Sequence, residues 1–356
     1  MCGSCHDIVL PSPPAPAPVG GEPLELERTF LEWQSTLFRP GNDPQNPHGV
    51  TCVGCHMPPP ARGADGIAAA GASRERKLHD HVMAGVDVAL DGPFAGKSGL
   101  NAEQVQGFLD TTLRVASLCV EYEADAAEPE RVRLLVDLDN VGAGHAFPSG
   151  ASQDRRVWLD VRVLFDDALV YSSGLVEASD DVTAAGDPDL VLLRDDARKL
   201  DGSPAHMFWD IASVSRHTMP GVVTRVVGAP GYDATHLVRS FPRDASGWIA
   251  APFDPARLRV ELRVRMQAMG FDVLDDLVQS GHLAPEIRAG VEARTLLPNK
   301  NLARPELVAR FPELARFGEL SFEWSALTLD SPYFAKAATR TQGSSRFSCA
   351  GMNRAP

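Results

Sequence analysis

The chain opens with one hydrophobic period and continues with another. Over 24–38, Leu26, Phe30, Trp33 and Leu37 recur at i, i+4, i+7 and i+11, which predicts an amphipathic helix. Around 100–119, Asn101 sits at an N-cap and Gln104 at the reciprocal capping position. Val105, Phe108, Leu109, Thr112, Leu113 and Ala116 then predict a second helix running to about Cys119. Beyond that the period becomes two. Val132, Leu134, Val136 and Leu138 alternate with other residues, as do Val157, Leu159, Val161, Val163 and Phe165. Leu258, Val260, Leu262, Val264 and Met266 alternate with Arg257, Arg259, Glu261, Arg263 and Arg265. That last run describes a strand with one wet face, as antiparallel sheets have. Further strands are expected near 169–173, 206–212, 222–228 and 319–328, and helices near 271–280 and 284–294.

These patterns predict an α+β chain: a loop-and-helix segment over 1–99, a helix and linker over 100–128, an antiparallel β-sandwich over 129–330 and an irregular tail over 331–356. A Pro-rich spacer covers 10–23, and 39–66 is dominated by Pro, Gly, Asn and Asp.

Cysteine placement changes the picture most. Four of the six cysteines fall in two copies of C-x-x-C-H, Cys2-Gly-Ser-Cys5-His6 and Cys52-Val-Gly-Cys55-His56. This is the c-type haem attachment pattern. The two thiols add across the haem vinyl groups, and the histidine lies under the iron as proximal ligand. One such pattern arises by chance in roughly three chains per thousand of this length and composition, so two are not an accident. A four-thiolate zinc site is the rival, but it gives no reason for His6 and His56 to follow each pair. The sequence therefore predicts two covalent haem c groups, anchored by Cys2, Cys5, Cys52 and Cys55, with His6 and His56 on the irons.

A six-coordinate haem also needs a distal ligand. His81, in His81-Val-Met-Ala-Gly85, and its neighbour His79 are candidates. His145 is another, in Asn140-Val-Gly-Ala-Gly-His145-Ala-Phe-Pro-Ser-Gly150, where glycines allow backbone to approach a flat cofactor. His48 is too close to Cys52 to reach across its own haem and suits a neighbouring one. His206, His217, His236 and His282 read as surface or core residues. Met57 adjoins His56 and cannot cross the porphyrin plane, and Met83 is a weaker ligand than His81. Cys119 and Cys349 are free to pair, in a compartment that permits disulfides.

The net charge of −13 argues against nucleic acid as a partner. No apolar run is long enough to span a bilayer. Covalent haem implies a periplasmic or cell-surface location. Because Met1 abuts the first motif, a signal peptide and further haem motifs are expected upstream.

The two motifs, the His81-x-Met-x-Gly85 run and the Val141-Gly-Ala-Gly-His145-Ala-Phe-Pro-Ser-Gly150 loop together resemble the C-terminal part of multihaem cytochromes c related to the cytochrome c554 group. The likeness covers roughly residues 1 to 280. It implies bis-histidine haems with His81 and His145 as distal ligands, a β-rich domain after the haem segment, and electron exchange with redox partner proteins or further haem domains. The alternatives are a multihaem oxidoreductase with one open haem, or a docking module of a larger cytochrome.

Overall fold

The computed structural model describes residues 2–10, 23–43, 49–57, 71, 79, 85–86, 105, 108–109, 112–125, 128–177, 180–224, 229–231, 236–251, 257–289, 294–296, 327–328 and 345–347. The chain is strand-rich α+β, with antiparallel sheets and few helices.

After a 3-10 turn over Cys2–Ser4, β1 (Ile8–Leu10) pairs with β2 (Leu24–Glu27). The expected helix over 24–38 is thereby corrected. Leu24-Glu-Leu-Glu27 alternates with period two and takes a strand partner, so helix α1 occupies only Thr29–Gln34. Helix α2 (Cys52–His56) is the second haem motif itself.

The second correction concerns 100–119. Val105, Phe108 and Leu109 are helical, but β3 (Leu113–Asp125) starts at Leu113 and forms a long hairpin with β4 (Glu128–Asn140). Cross-strand pairing from Leu113↔Asn140 to Asp125↔Glu128 outweighs the helical spacing of the apolar residues. The β-region therefore begins in the stretch expected to be a linker.

Next come β5 (Arg156–Phe165), β6 (Ala168–Ser173), β7 (Leu192–Leu193), β8 (Asp195–Arg198), β9 (Ser213–Arg216), β10 (His236–Phe241) and β11 (Leu258–Gln267). Helices α3 (Phe271–Gln279) and α4 (Pro285–Ala289) follow, then β12 (Arg294–Leu296), β13 (Leu327–Thr328) and β14 (Ser345–Phe347). The strand expected over 206–212 is instead a 3-10 turn at Phe208–Asp210, with β9 starting at Ser213. Of the expected strand over 222–228, residues 222–224 are not in a strand and the rest lie outside the described residues. The expected strand over 319–328 is described only at β13. The tail expected to be irregular contributes β14, which pairs with β3.

One sheet runs β10-β4-β3-β14, and a larger one runs β12-β11-β5-β6 with β7 and β13 added at its sides. Both feed one apolar cluster. Val132, Leu134, Val136 and Leu138 meet Val157, Leu159, Val161, Val163, Val260, Leu262 and Val264 there. A smaller cluster joins Leu26 of β2 to Ala197, Ala205 and Ile211, with Ile8 and Leu24 against it, and so fastens the first hairpin to the β8–β9 pair. No helix among the described residues is long and apolar enough to cross a membrane.

Candidate functional site

The site is assembled around α1. The first motif is a tight turn in which the amides of Cys5 and His6 both donate to the Cys2 carbonyl, at 3.1 and 3.0 Å. The second is a single helical turn. Thr51 is its N-cap, and its side chain accepts from the Gly54 amide at 3.3 Å. Helical spacing of i, i+3 and i+4 then puts Cys52, Cys55 and His56 on one face, as a porphyrin bound through all three requires.

Helix α1 touches both motifs. The Phe30 ring lies so close to Gly3 that a Cβ there would sit 2.7 Å from it, and Phe30 stacks on Trp33 at 5.6 Å. The Trp33 indole donates to the Val50 carbonyl at 2.9 Å, just before the second motif. Gly49 turns that strap with a φ of +52°, where a Cβ would stand 2.5 Å from the Phe38 carbonyl oxygen. Only glycine fits there. The motifs themselves abut: burial first, and then the neighbouring Cys2 thiol, push the Cys52 thiol up from its ordinary value.

The loop after β4 closes on the same helix. Glu32 of α1 accepts from the Ala146 amide at 3.2 Å and from the Ser149 hydroxyl at 2.6 Å. Thr29 hydrogen-bonds the Ser149 hydroxyl at 2.7 Å and accepts from the Gly150 amide at 3.0 Å. Thr36 donates to the Gly144 carbonyl at 3.2 Å. On the loop's other side, Asn140 donates to the carbonyls of His145 and Met219, at 2.7 and 3.2 Å, and Phe147 and Met219 exchange main-chain bonds. Burial raises the Glu32 carboxyl, while the bonds from Ser149 and Ala146 and the charge of Arg28 pull it back.

This clamp sets His145 opposite His56. Their ring centres are 6.5 Å apart and their planes within 10° of parallel. His56 and His145 would be the two residues to hold the iron of a haem tethered by Cys52 and Cys55. His145 Nδ1 lies 2.7 Å from the Ala146 carbonyl, which can only accept, so Nδ1 carries the proton and Nε2 is a bare donor. Burial holds the imidazole down to about 4; the Ala146 bond opposes this, and the charges of His56 and His6 add to it. The ring is neutral at physiological pH, as a metal ligand must be. The donor set Cys52, Cys55, His56 and His145 thus fits a c-type haem. Phe108 adds a ring 6.0 Å from His56, tilted by 20°.

The other expected ligands are placed unequally. His6 is exposed at the end of the first motif, and its carbonyl accepts from the Phe30 amide at 3.2 Å. His79 lies next to the second motif, its Nδ1 donating to the Met57 carbonyl at 2.6 Å. His48 and His81 lie outside the described residues, as does the Cys119–Cys349 pairing. Sequence reasoning misses Glu32 and Thr29. Their one signal is the Thr-x-x-Glu spacing of a capping box, but the N-cap is Arg28 and makes no side-chain cap bond. Both side chains serve the loop instead.

Elsewhere, His236 of β10 approaches two carboxylates of β4. Its Nδ1 is 3.6 Å from Asp137 and in closer contact with Asp139; both aspartates are buried and His236 is half-buried. Hydrogen bonding to Asp137 and then Asp139 pushes the imidazole up to about 9, so it carries a proton at neutral pH. His206 is paired similarly with Asp272 and Asp276.

No family model matches the chain. Over 130 residues, 32% of the chain, it is 35% identical to a proteasome subunit beta from Saccharomonospora viridis, and the match covers 43% of that protein. The chain therefore spans less than half the length of that relative. A fold comparison aligns 83% of the chain with 53% of a penta-heme cytochrome c552 from Thermochromatium tepidum, at a TM-score of 0.44 and 16% identity. A likeness at that score does not establish a shared fold.

Proposed function

We propose that this chain is an electron-transfer segment of a multihaem c-type cytochrome, with two covalent haems and a β-sandwich that carries a distal ligand. The observation that supports this best is the opposition of His56 and His145. The histidine of a C-x-x-C-H turn has, with ring centres 6.5 Å apart, a neutral imidazole beside it whose Nδ1 is tied to a carbonyl.

Haem c supplies a one-electron couple at the iron. The chain's own residues do the rest. Cys2, Cys5, Cys52 and Cys55 tether the two groups. His6 and His56 serve as proximal ligands, and His145 as the distal ligand of the second site. His79, His81 and His48 are the remaining distal candidates. Of these, His79 is tied through Nδ1 to the Met57 carbonyl, beside the second motif. The clamp of Glu32, Thr29 and Asn140 fixes the His145 ring before any redox change, which keeps rearrangement on electron transfer small. Electrons pass to redox partner proteins or to further haem domains, in the periplasm or at the cell surface.

The test is the spectrum of the haem-loaded protein. Two haems per chain, both low-spin with two nitrogen axial ligands, are expected from pyridine haemochrome and electron paramagnetic resonance. A high-spin ferric signal from the second site would overturn the bis-histidine assignment and favour an open, catalytic haem. Absence of covalent haem after expression with a c-type maturation system would overturn the whole reading.

A further inference from the structure

Several basic side chains gather around one pocket of this acidic chain. A pocket of about 520 Å³ opens beside strand β10. Its wall holds Arg216, His217, His236, Arg239 and Arg243, and no carboxylate is among its described lining residues. Met219, which exchanges main-chain bonds with Phe147 of the His145 loop, is part of the same wall.

Two of these cations already have partners. Arg216 reaches Asp195 at 3.3 Å and Glu25 at 3.6 Å, and His236 has Asp137 and Asp139. Arg239 and Arg243 differ: among the described residues neither makes an ion pair. Each is anchored by main chain instead. Arg239 Nη1 donates to the Val238 carbonyl at 2.8 Å and Arg243 Nη1 to the Leu190 carbonyl at 3.0 Å. The Arg243 amide is also held, by Asp189 at 2.9 Å. One N–H of each guanidinium is thus spent on fixing it, and the others remain for a ligand. The two are close enough to act on each other: burial and then the charge of Arg243 lower Arg239.

Two anchored, like-charged guanidiniums on one pocket wall are stabilised by an anion between them, and their planar forks match carboxylate or phosphate oxygens in pairs. The volume falls in the range of small-molecule sites, about 300–1,000 Å³, and is many times the roughly 30 Å³ share of one water. A lone inorganic oxyanion would leave most of it unfilled. We infer that this pocket binds a small organic polyanion, a di- or tricarboxylate or a phosphate ester, gripped by Arg239 and Arg243 with Arg216 and His217 on the rim. The inference does not depend on the haem assignment.

Isothermal titration calorimetry of the full, haem-loaded chain at low ionic strength tests it, with citrate and pyrophosphate as probes and potassium chloride of matched ionic strength as the control. Saturable binding of at least one probe, one per chain, is expected. Citrate alone identifies a carboxylate ligand and pyrophosphate alone a phosphate ligand. The double variant Arg239→Gln/Arg243→Gln should lose at least tenfold in affinity. Arg243→Lys, which keeps the charge and loses the fork, should lose severalfold and serves if the double variant does not fold. Failure of both probes to saturate below about 10 mM overturns the inference, as does unchanged affinity in the variants. No readout here depends on haem, so the outcome is separable from that of the electron-transfer proposal.

Discussion

The segment from Cys2 to Met57 and the sheets from Leu113 onward are held together by different means. The sheets share a continuous apolar cluster in which Val132, Leu134, Leu138, Val157, Val260, Leu262 and Val264 are essentially inaccessible. In the first segment, Leu26 and Phe38 are the only buried apolar side chains among the described residues. It is fastened by the small Leu26 cluster against the β8–β9 pair, by hydrogen bonds from Trp33 to Val50 and between α1 and the His145 loop, and by Phe30 lying on the first motif. The first region is a set of brackets, and the second is a core in its own right. Burial of a large apolar side chain is worth about 1.5–3 kcal/mol, whereas a typical hydrogen bond nets about 0.5–1.5 kcal/mol. The bracket region therefore depends on what it grips.

The sharpest way to break this comparison is to remove one anchor pair. Cys52→Ala/Cys55→Ala should halve covalent haem, from two to one per chain by pyridine haemochrome. It should make residues 24–57 sensitive to proteolysis while the sheets keep their unfolding midpoint. A large fall in that midpoint would mean the two regions are one cooperative unit.

His145→Ala comes next. One of the two haems should turn high-spin and bind added imidazole, with both attachments retained. Two low-spin haems in the variant would show that another residue is the distal ligand.

Leu262→Ala addresses the other side. It empties a fully buried site between the sheets and should cost about 2–5 kcal/mol in chemical denaturation. Haem content should not change.

Glu32→Ala strikes the joint between the regions. The Ala146 amide and the Ser149 hydroxyl lose their acceptor, at a cost of about 1–3 kcal/mol. A fraction of high-spin haem should appear as the loop loosens, and Glu32→Gln, which keeps an acceptor oxygen, should restore much of the low-spin signal.

The smallest effect is in the sheet alone. The folded pKa of His236 is about 9, above the ordinary histidine value of 6.5. Its pairing with Asp137 and Asp139 thus adds stability in full below pH 6.5 and loses it as pH rises through 9. His236→Gln should flatten the stability profile across that window, and an unchanged slope would assign the pH dependence to other groups.

What the sequence discloses divides along the same line. The strands at 132–138, 157–165 and 258–266 are legible because a strand with one buried face writes its period directly into the residues. The two C-x-x-C-H runs are legible because their fixed spacing recurs in a chain with only six cysteines. Residues 113–119 mislead because Leu113 and Ala116 satisfy a helical period locally, and only the partner strand at 134–140 decides the matter. The clamp at Glu32, Thr29 and Asn140 is invisible for a related reason. Glu32 and Thr29 bond a loop far off in sequence, Glu32 across 114 positions to Ala146, and polar side chains leave no period when their partner is a backbone amide. His145 stands out by its glycines, but its tautomer and its distance from His56 belong to the fold.

The α1 clamp also has a meaning in time. A chain is made from its N-terminus, so Cys52, Cys55 and His56 emerge about ninety residues before His145. On the proposed reading, a haem held by those thiols would lack the His145 ligand until that loop is in place. The loop that follows β4, bonded by Glu32 and Thr29, would supply it. Under that assignment the β-region, and not the attachment of the cofactor alone, would complete the site, with α1 as the piece that joins the two.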